Sequence, residues 1–287
     1  MTKDNYRSGY VAVVGRPNVG KSTLVNALVG EKVSIVTSKP QTTQINILGI
    51  VHLPNAQIML VDTPGLLNEK GKKLSSKKTS KETRSALAMA DLAVIVVEVN
   101  RWKKEDDYLM ERLEEFSFEK ILAVNKVDLF KDKSQILDFL AESSVKGSFK
   151  EIVPISALRG KNINRLKSLI EVSLPFQTAQ FSKATVTDKS IVFRISEIVR
   201  EKLMKSLRDE LPYSLTCEVD HMEEKSNLIL IELSILLMKE SHKKIVIGKN
   251  GRTLKQVGTE SRKEIEKLLG KKVFLSSVVK SNKKRRI

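Results

Sequence analysis

Gly15-Arg16-Pro17-Asn18-Val19-Gly20-Lys21-Ser22 is the stretch that decides the fold. It fits G-x-x-x-x-G-K-[ST] and stands between an apolar run, Tyr10 to Gly15 (YVAVVG), and an amphipathic one, Ser22 to Val29. A strand, a glycine-bearing turn and a helix in that order bring backbone N–H groups and a helix N-terminus close to phosphate oxygens. In this reading the loop from Gly15 to Thr23, with Arg16, Pro17, Asn18, Val19 and Gly20 inside it, cradles the phosphates. Lys21 lies between the β- and γ-phosphates, and the Ser22 hydroxyl joins Mg²⁺.

Outward from the loop, short apolar runs alternate with amphipathic ones. Gln44 to Leu53, Gln57 to Asp62, Leu92 to Val99 and Ile121 to Asn125 read as strands, the first two close enough to pair. Glu105 to Phe116, Ser134 to Val145 and Asn162 to Val172 have helical spacing. Continuous apolar strands separated by helices predict an α/β fold, a doubly wound, mainly parallel sheet of the P-loop NTPase type with ligands at the carboxyl ends of its strands. This domain takes residues 1–172. Residues 173–183 (SLPFQTAQFSK) lose the pattern and read as a linker, and 184–287 follow a different order.

Three further motifs sit at strand ends. Asp62-Thr63-Pro64-Gly65 offers a carboxylate to Mg²⁺ through water and a Gly65 N–H to a γ-phosphate. Asn125-Lys126-Val127-Asp128 reads the base: the Asp128 carboxylate accepts from N1–H and the exocyclic amine of guanine, a donor pair adenine lacks. Lys126 lies over the base and Asn125 braces the site. Ser156-Ala157-Leu158, after IVPIS, puts backbone near the guanine O6. Between the first helix and the second strand, Thr43, with Thr42 as the alternative, supplies a switch hydroxyl to Mg²⁺. The expected ligands are GTP and GDP with Mg²⁺, and the catalytic candidates are Lys21, Thr43, Gly65 and Asn18. Asp128 argues against an ATP-dependent kinase.

Of the 287 residues, 51 are Lys or Arg and 34 Asp or Glu, a formal net charge of +17. Residues 181–287 carry +10 of it and end in Lys283-Lys284-Arg285-Arg286. Such a balance points to a polyanionic partner. One cysteine, Cys217, excludes a disulfide framework, and three scattered histidines argue against a His-based metal site. MTKDNYRSGY has no apolar signal core and no run of 18 apolar residues occurs, so a cytoplasmic chain is expected, with contact to a membrane surface left open. The lysine-rich stretch Lys70 to Lys81 reads as a solvated flank of the switch region.

The second half reads α-β-β-α-α-β: Asp188 to Leu207 helical, Ser214 to His221 and Asn227 to Leu237 strands, helices around His242 to Ile247 and Arg252 to Leu269, and a last strand from Lys272 to Val279. Gly248-Lys249-Asn250-Gly251 divides the last two helices. A G-x-x-G there lets backbone approach a nucleic-acid backbone, as in the smaller α+β KH module of type II. Lys243, Lys244, Lys249, Arg252 and Lys255 supply phosphate-binding charge, Gly248, Asn250 and Gly251 the close approach, and Ile245 and Ile247 an apolar floor.

Taken together, the phosphate loop, Pro40-Gln41-Thr42-Thr43, Asp62-Thr63-Pro64-Gly65, the base-reading motif, Glu210-Leu211-Pro212-Tyr213-Ser214 and Ile247-Gly248-Lys249 with Gly251 resemble the Era-type GTPases over most of the chain. The resemblance implies a GTP-hydrolysing switch that binds the 3′ region of small-subunit ribosomal RNA and assists assembly of the small ribosomal subunit. It implies peripheral contact with the inner face of the membrane and, from Asn18, K⁺ beside the phosphates; a monomer is expected. A different class of function, an RNA chaperone whose GTP hydrolysis is incidental, uses the same residues. The chain departs from the family at Asn250, where a third glycine is usual, at Gln44, where a basic residue is common, and at its end, which lacks an aromatic after the last strand. Leu66 stands where Ras-like GTPases carry the water-positioning Gln.

Overall fold

Strand β1 (Arg7–Val14) is apolar on both faces, and both are covered. Val11 and Val13 enter one core, with Leu24, Val25, Leu28, Ile163, Leu166 and Ile170. Ala12 and Val14 enter the other, with Leu109, Met110, Leu113, Ile136 and Phe139. A sheet buried on both sides needs parallel strands with helical crossovers. The structure, a computed structural model, describes residues 5–39, 42–43, 45–63, 77–208 and 211–281, with backbone only over 77–82. The chain divides into two compact units, Met1–Val36 with Pro40–Asp188, and Thr37–Lys39 with Lys189–Ile287.

In the first unit the sheet runs β2-β3-β1-β4-β5-β6, with β2 (Ile47–His52), β3 (Ala56–Asp62), β4 (Leu92–Glu98), β5 (Glu119–Asn125) and β6 (Glu151–Pro154). Only the β2–β3 pair is antiparallel, two strands joined by a short turn; the other pairs are parallel. α1 (Lys21–Val29) and α5 (Ile163–Ser173) cover one face; α3 (Lys104–Leu113), α4 (Lys133–Ser144) and Leu87 of α2 (Lys77–Ala88) cover the other. A fully buried Leu or Ile here contributes about 2 kcal/mol. Strand order reverses at β1, which places a crevice beyond its carboxyl end. α2 begins inside the lysine-rich stretch that the sequence presents as a solvated flank; the rest of that stretch lies outside the described residues.

Residues 174–188 follow α5 along this same unit. Pro175 O accepts from Ser8 N at 3.1 Å, and the buried Gln57 side chain takes the N–H groups of Gln180 and Phe181 at 2.7 and 2.9 Å. Val186 O accepts from Ile50 N at 2.9 Å, and Asp188 Oδ1 from Leu48 N at 3.0 Å.

The second unit has the order read from the sequence: α6 (Ile191–Ser206), β7 (Leu215–Glu224), β8 (Ile229–Leu237), α7 (Lys243–Ile247), α8 (Arg252–Leu269) and β9 (Val273–Ser281). Its three-stranded sheet pairs β7 antiparallel and β9 parallel to β8, and α6, α7 and α8 pack on one core with Ile231, Leu233 and Ile235. Cys217 leans on that core, where burial pushes its thiol far above the ordinary range. Among the described residues no helix is long and apolar enough to cross a membrane.

Candidate nucleotide and RNA sites

The carboxyl ends of β1, β3, β5 and β6 bring the first-unit motifs to one edge of the sheet. Asn125, the last residue of β5, ties three of them. Its Nδ2 donates to Val19 O of the phosphate loop at 2.8 Å, and its Oδ1 accepts from Ala157 N at 2.9 Å. The loop can come this close because residue 20 is glycine. Gly20 has φ 102°, and a Cβ there would meet Asn125 Nδ2 at 2.4 Å.

Lys21 is buried, and its ammonium donates to Gly15 O and Arg16 O at 2.9 and 3.1 Å. Burial lowers its pKa to about 8 against the opposing charge of Asp62. Ser22 Oγ and Thr43 Oγ1 are 3.1 Å apart, and Thr43 Oγ1 donates to Asp62 Oδ2 at 3.5 Å. Asp62 is buried, which raises its pKa, and its second oxygen, Oδ1, has no hydrogen-bond partner. Two hydroxyls and one carboxylate, one of whose oxygens is unpartnered, are the donor set of a hard divalent cation, so these residues fit Mg²⁺.

Other candidates sit as follows. Thr63 turns its hydroxyl into the sheet, donating to Val13 O at 2.9 Å, and does not face the loop. Asn18 is exposed in the left-handed conformation, φ 63°. Asp128 is exposed on the single turn Val127–Leu129, and Leu158, 72% exposed, ends the last motif. Pro64, Gly65 and Leu66 lie outside the described residues, as do Pro40, Gln41, Gln44, Glu210 and the tail Lys283 to Arg286.

The side chain of Arg16 has its own partners. The residue belongs to the phosphate loop, but its guanidinium is buried toward α3. Nε donates to Asp106 Oδ2 at 3.1 Å, and Nη2 to Glu98 Oε2 at 3.3 Å and Arg101 O at 3.0 Å. Only its backbone remains for phosphates. Glu98 and Asp106, which the motifs do not contain, are therefore part of the site's frame. A charged residue closing an otherwise apolar strand is the signal for Glu98, whereas Asp106 stands in the first turn of α3 and carries none. Trp102 is half-buried against the same core and donates to Asp107 Oδ1 at 2.7 Å.

In the second unit Gly248 (φ 77°), Asn250 (φ 53°) and Gly251 (φ 72°) form the turn between α7 and α8. Asn250 adopts the left-handed conformation its short polar side chain tolerates. A Cβ on Gly248 would meet Thr253 Oγ1 at 2.2 Å. Lys249 and Asn250 are exposed, with Arg252 and Lys255 on the following turns of α8. The expected floor is half present: Ile245 is 55% exposed, whereas Ile247 packs on the core. The glycine turn opens instead onto a groove of about 490 Å³ between α8 and β9, lined by Leu254, Lys255, Arg262, Phe274 and Leu275. Phe274, 57% exposed, is an aromatic surface the sequence reading overlooked.

A doubly wound sheet that gathers a glycine-bearing loop, a buried carboxylate beside two hydroxyls and the Asn125-Lys126-Val127-Asp128 turn on one edge, followed by a KH fold, is the architecture of a GTPase with an appended KH module. Comparison with known proteins agrees. Residues 10–126 match the family described as 50S ribosome-binding GTPase, and residues 210–286 match the KH domain. GTPase Era of Xanthomonas oryzae pv. oryzae is 44% identical over 280 residues, 98% of this chain and 93% of that protein. GTPase Era of Xylella fastidiosa is 43% identical over 97% and 93%. A variant of Aquifex aeolicus Era bound to GDP and AlF₄⁻ superposes with TM-score 0.90 and 35% identity, covering 96% and 94%. Era in complex with MgGDPNP and nucleotides 1506–1542 of 16S ribosomal RNA gives 0.88 and 33% over the same shares. The chain belongs to the GTPase Era family.

Proposed function

We propose that this GTPase uses its nucleotide state to control binding to the 3′ region of small-subunit ribosomal RNA, and that it thereby assists small-subunit assembly. Nucleotide work falls to the first unit and RNA work to the second. The observation that supports the nucleotide half is the Asn125 side chain joining Val19 and Ala157, which ties the phosphate loop to the two loops expected to read the base. The relative bound to 16S ribosomal RNA supports the RNA half, as does the groove beside the glycine turn.

The backbone of residues 15–23 cradles the phosphates. Lys21 exchanges its two carbonyl partners for phosphate oxygens and neutralises charge that moves toward the β–γ bridge as it breaks. Ser22, Thr43 and Asp62 hold Mg²⁺, which when bound polarises the phosphates. Thr43 belongs to the switch segment, so its place beside Ser22 reports whether a γ-phosphate is present. Gly65 N–H completes that sensor. Asp128 fixes guanine, with Lys126 and the backbone of residues 156–158 closing around the base. Asn18, exposed on the loop, helps hold K⁺ there. The glycine turn of residues 248–251 clamps RNA backbone with Lys243, Lys244, Lys249, Arg252 and Lys255 around it. Peripheral contact with the membrane face belongs to the same proposal, supported by the basic charge of the second half.

The test is binding of a labelled single-stranded fragment from the 3′ end of 16S ribosomal RNA to the full chain loaded with GDP or with a non-hydrolysable GTP analogue. Tighter binding in one nucleotide state is expected. Equal affinity in both would refute the switch.

A further inference from the structure

Helix α1 presents Ser22 in its first turn and, one turn later, Asn26, which reaches across the loop beyond the helix. Asn26 Oδ1 accepts from the N–H groups of Val33 and Ser34, both at 2.9 Å, and Asn26 Nδ2 donates to Ser34 O at 2.7 Å. Three hydrogen bonds, two of them to Ser34 itself, thus fix the backbone of Val33 and Ser34 to the helix that carries Ser22. Ser34 is 1% exposed, and its hydroxyl has no hydrogen-bond partner. A buried hydroxyl left unpaired destabilises a fold, so its presence asks for a reason.

The second orphan lies at the same place. Asp62 Oδ1 is also buried and unpartnered. The Ser34 hydroxyl is near enough to the Asp62 carboxyl to favour its charged form, although the two do not meet in hydrogen-bond geometry. Two buried oxygens without partners, one able to donate and one to accept, thus lie close to the carboxylate to which Thr43 donates. Mg²⁺ keeps several of its waters when it binds, and each needs partners around the ion.

We propose that Ser34 is a positioning residue of the Mg²⁺ site, its hydroxyl and Asp62 Oδ1 together holding a metal-bound water in the register that Asn26 sets. The proposal rests on Ser22, Thr43 and Asp62 as the residues that hold the ion. No motif contains Ser34; its role is carried by burial, the Asn26 clamp and the missing partner.

The test compares the full chain with Ser34→Ala in two measurements. The first is the release rate of fluorescent GDP against free Mg²⁺ concentration. The second is the melting temperature without nucleotide in EDTA. The Mg²⁺ concentration for half-maximal retention should rise about tenfold or more in the variant, the usual effect of losing a residue that orients metal ligands. Melting in EDTA should stay the same or rise, because an unsatisfied hydroxyl has been removed. A Mg²⁺ midpoint within about twofold of the wild type would overturn the role, since such residues are worth far more. A lower melting temperature or misfolding of the variant in EDTA would make Ser34 structural and overturn it as well. If wild-type retention did not depend on Mg²⁺, the assignment of Ser22, Thr43 and Asp62 would fail first, and this proposal with it.

Discussion

Glu98 Oε2 lies 3.4 Å from Lys126 Nζ, so the last residue of β4 anchors the lysine of the base-reading motif. The same oxygen is 3.3 Å from Arg16 Nη2 in the phosphate loop. One carboxylate, mostly buried, therefore spans the two ends of the nucleotide site. Glu98→Gln keeps the shape and removes the charge. It should destabilise the fold by about 2 kcal/mol, the usual loss for a hydrogen bond to a charged group. GDP release should accelerate by about tenfold, with guanine preference kept, because Asp128 is untouched. Stopped-flow release of fluorescent GDP checks this, and an unchanged rate would contradict it.

The same pair sets a pH dependence. Burial pushes the Glu98 carboxyl up, but the charges of Lys126, Arg16 and Arg101 outweigh it and hold the pKa below its ordinary value of 4.5. A carboxyl depressed in the folded state stabilises fully above its unfolded pKa and loses that contribution as pH falls through the folded one. The melting-temperature gap between wild type and Glu98→Gln should be constant near neutrality and shrink below about pH 4.5. A gap that widened in acid would refute the pairing.

Gly20→Ala tests the close approach of Asn125 to the phosphate loop. The new Cβ would stand 2.4 Å from Asn125 Nδ2 at φ 102°, so backbone strain adds to a clash that breaks the bond to Val19. A loss of about 2–4 kcal/mol in stability and of measurable GDP binding is expected. Gly30→Ala is the control: φ is 86° but nothing lies within 4 Å, so strain of about 1 kcal/mol acts alone. Equal effects at the two positions would contradict the steric account.

Replacing Lys249 and Asn250 together with Asp should lower affinity for the ribosomal RNA fragment by about tenfold or more and reduce the salt slope by about one. GDP affinity should not change. Phe274→Ala extends the test to the groove: losing a base-stacking surface is worth about 1–3 kcal/mol of RNA binding. Gel-shift titrations at several salt concentrations read both. RNA affinity equal to wild type in Phe274→Ala would exclude β9 from the interface.

Most of the fold was legible because each element carries its own local signal. The phosphate loop is set by glycines, β4 and β5 by unbroken apolar runs, and the second unit by its element order. Asn250 could be expected to hold its turn from its conformational tolerance alone. What escaped the sequence depends on distant partners. Arg16 sits in a phosphate-binding pattern, but its side chain turns away because Glu98 and Asp106, more than 80 residues later, offer it carboxylates. Ile247 looked like a groove residue until the packing of α7 turned it to the core. Phe274 alternates like any strand residue, and only the position of α8 shows that it faces a groove. Residues 173–183 lack periodicity because backbone bonds to Ser8 and the Gln57 side chain hold much of the segment in place.

Equilibrium binding of fluorescent GDP and ADP in the presence of Mg²⁺, by the wild type and by Asp128→Asn, tests the central claim most directly. The wild type should take up GDP and reject ADP by at least about a hundredfold, since adenine would cover the Asp128 carboxylate without offering it donors. Asp128→Asn should lose most of that preference. Failure of the wild type to bind GDP, or discrimination untouched by the substitution, would contradict the guanine pocket on which the account stands.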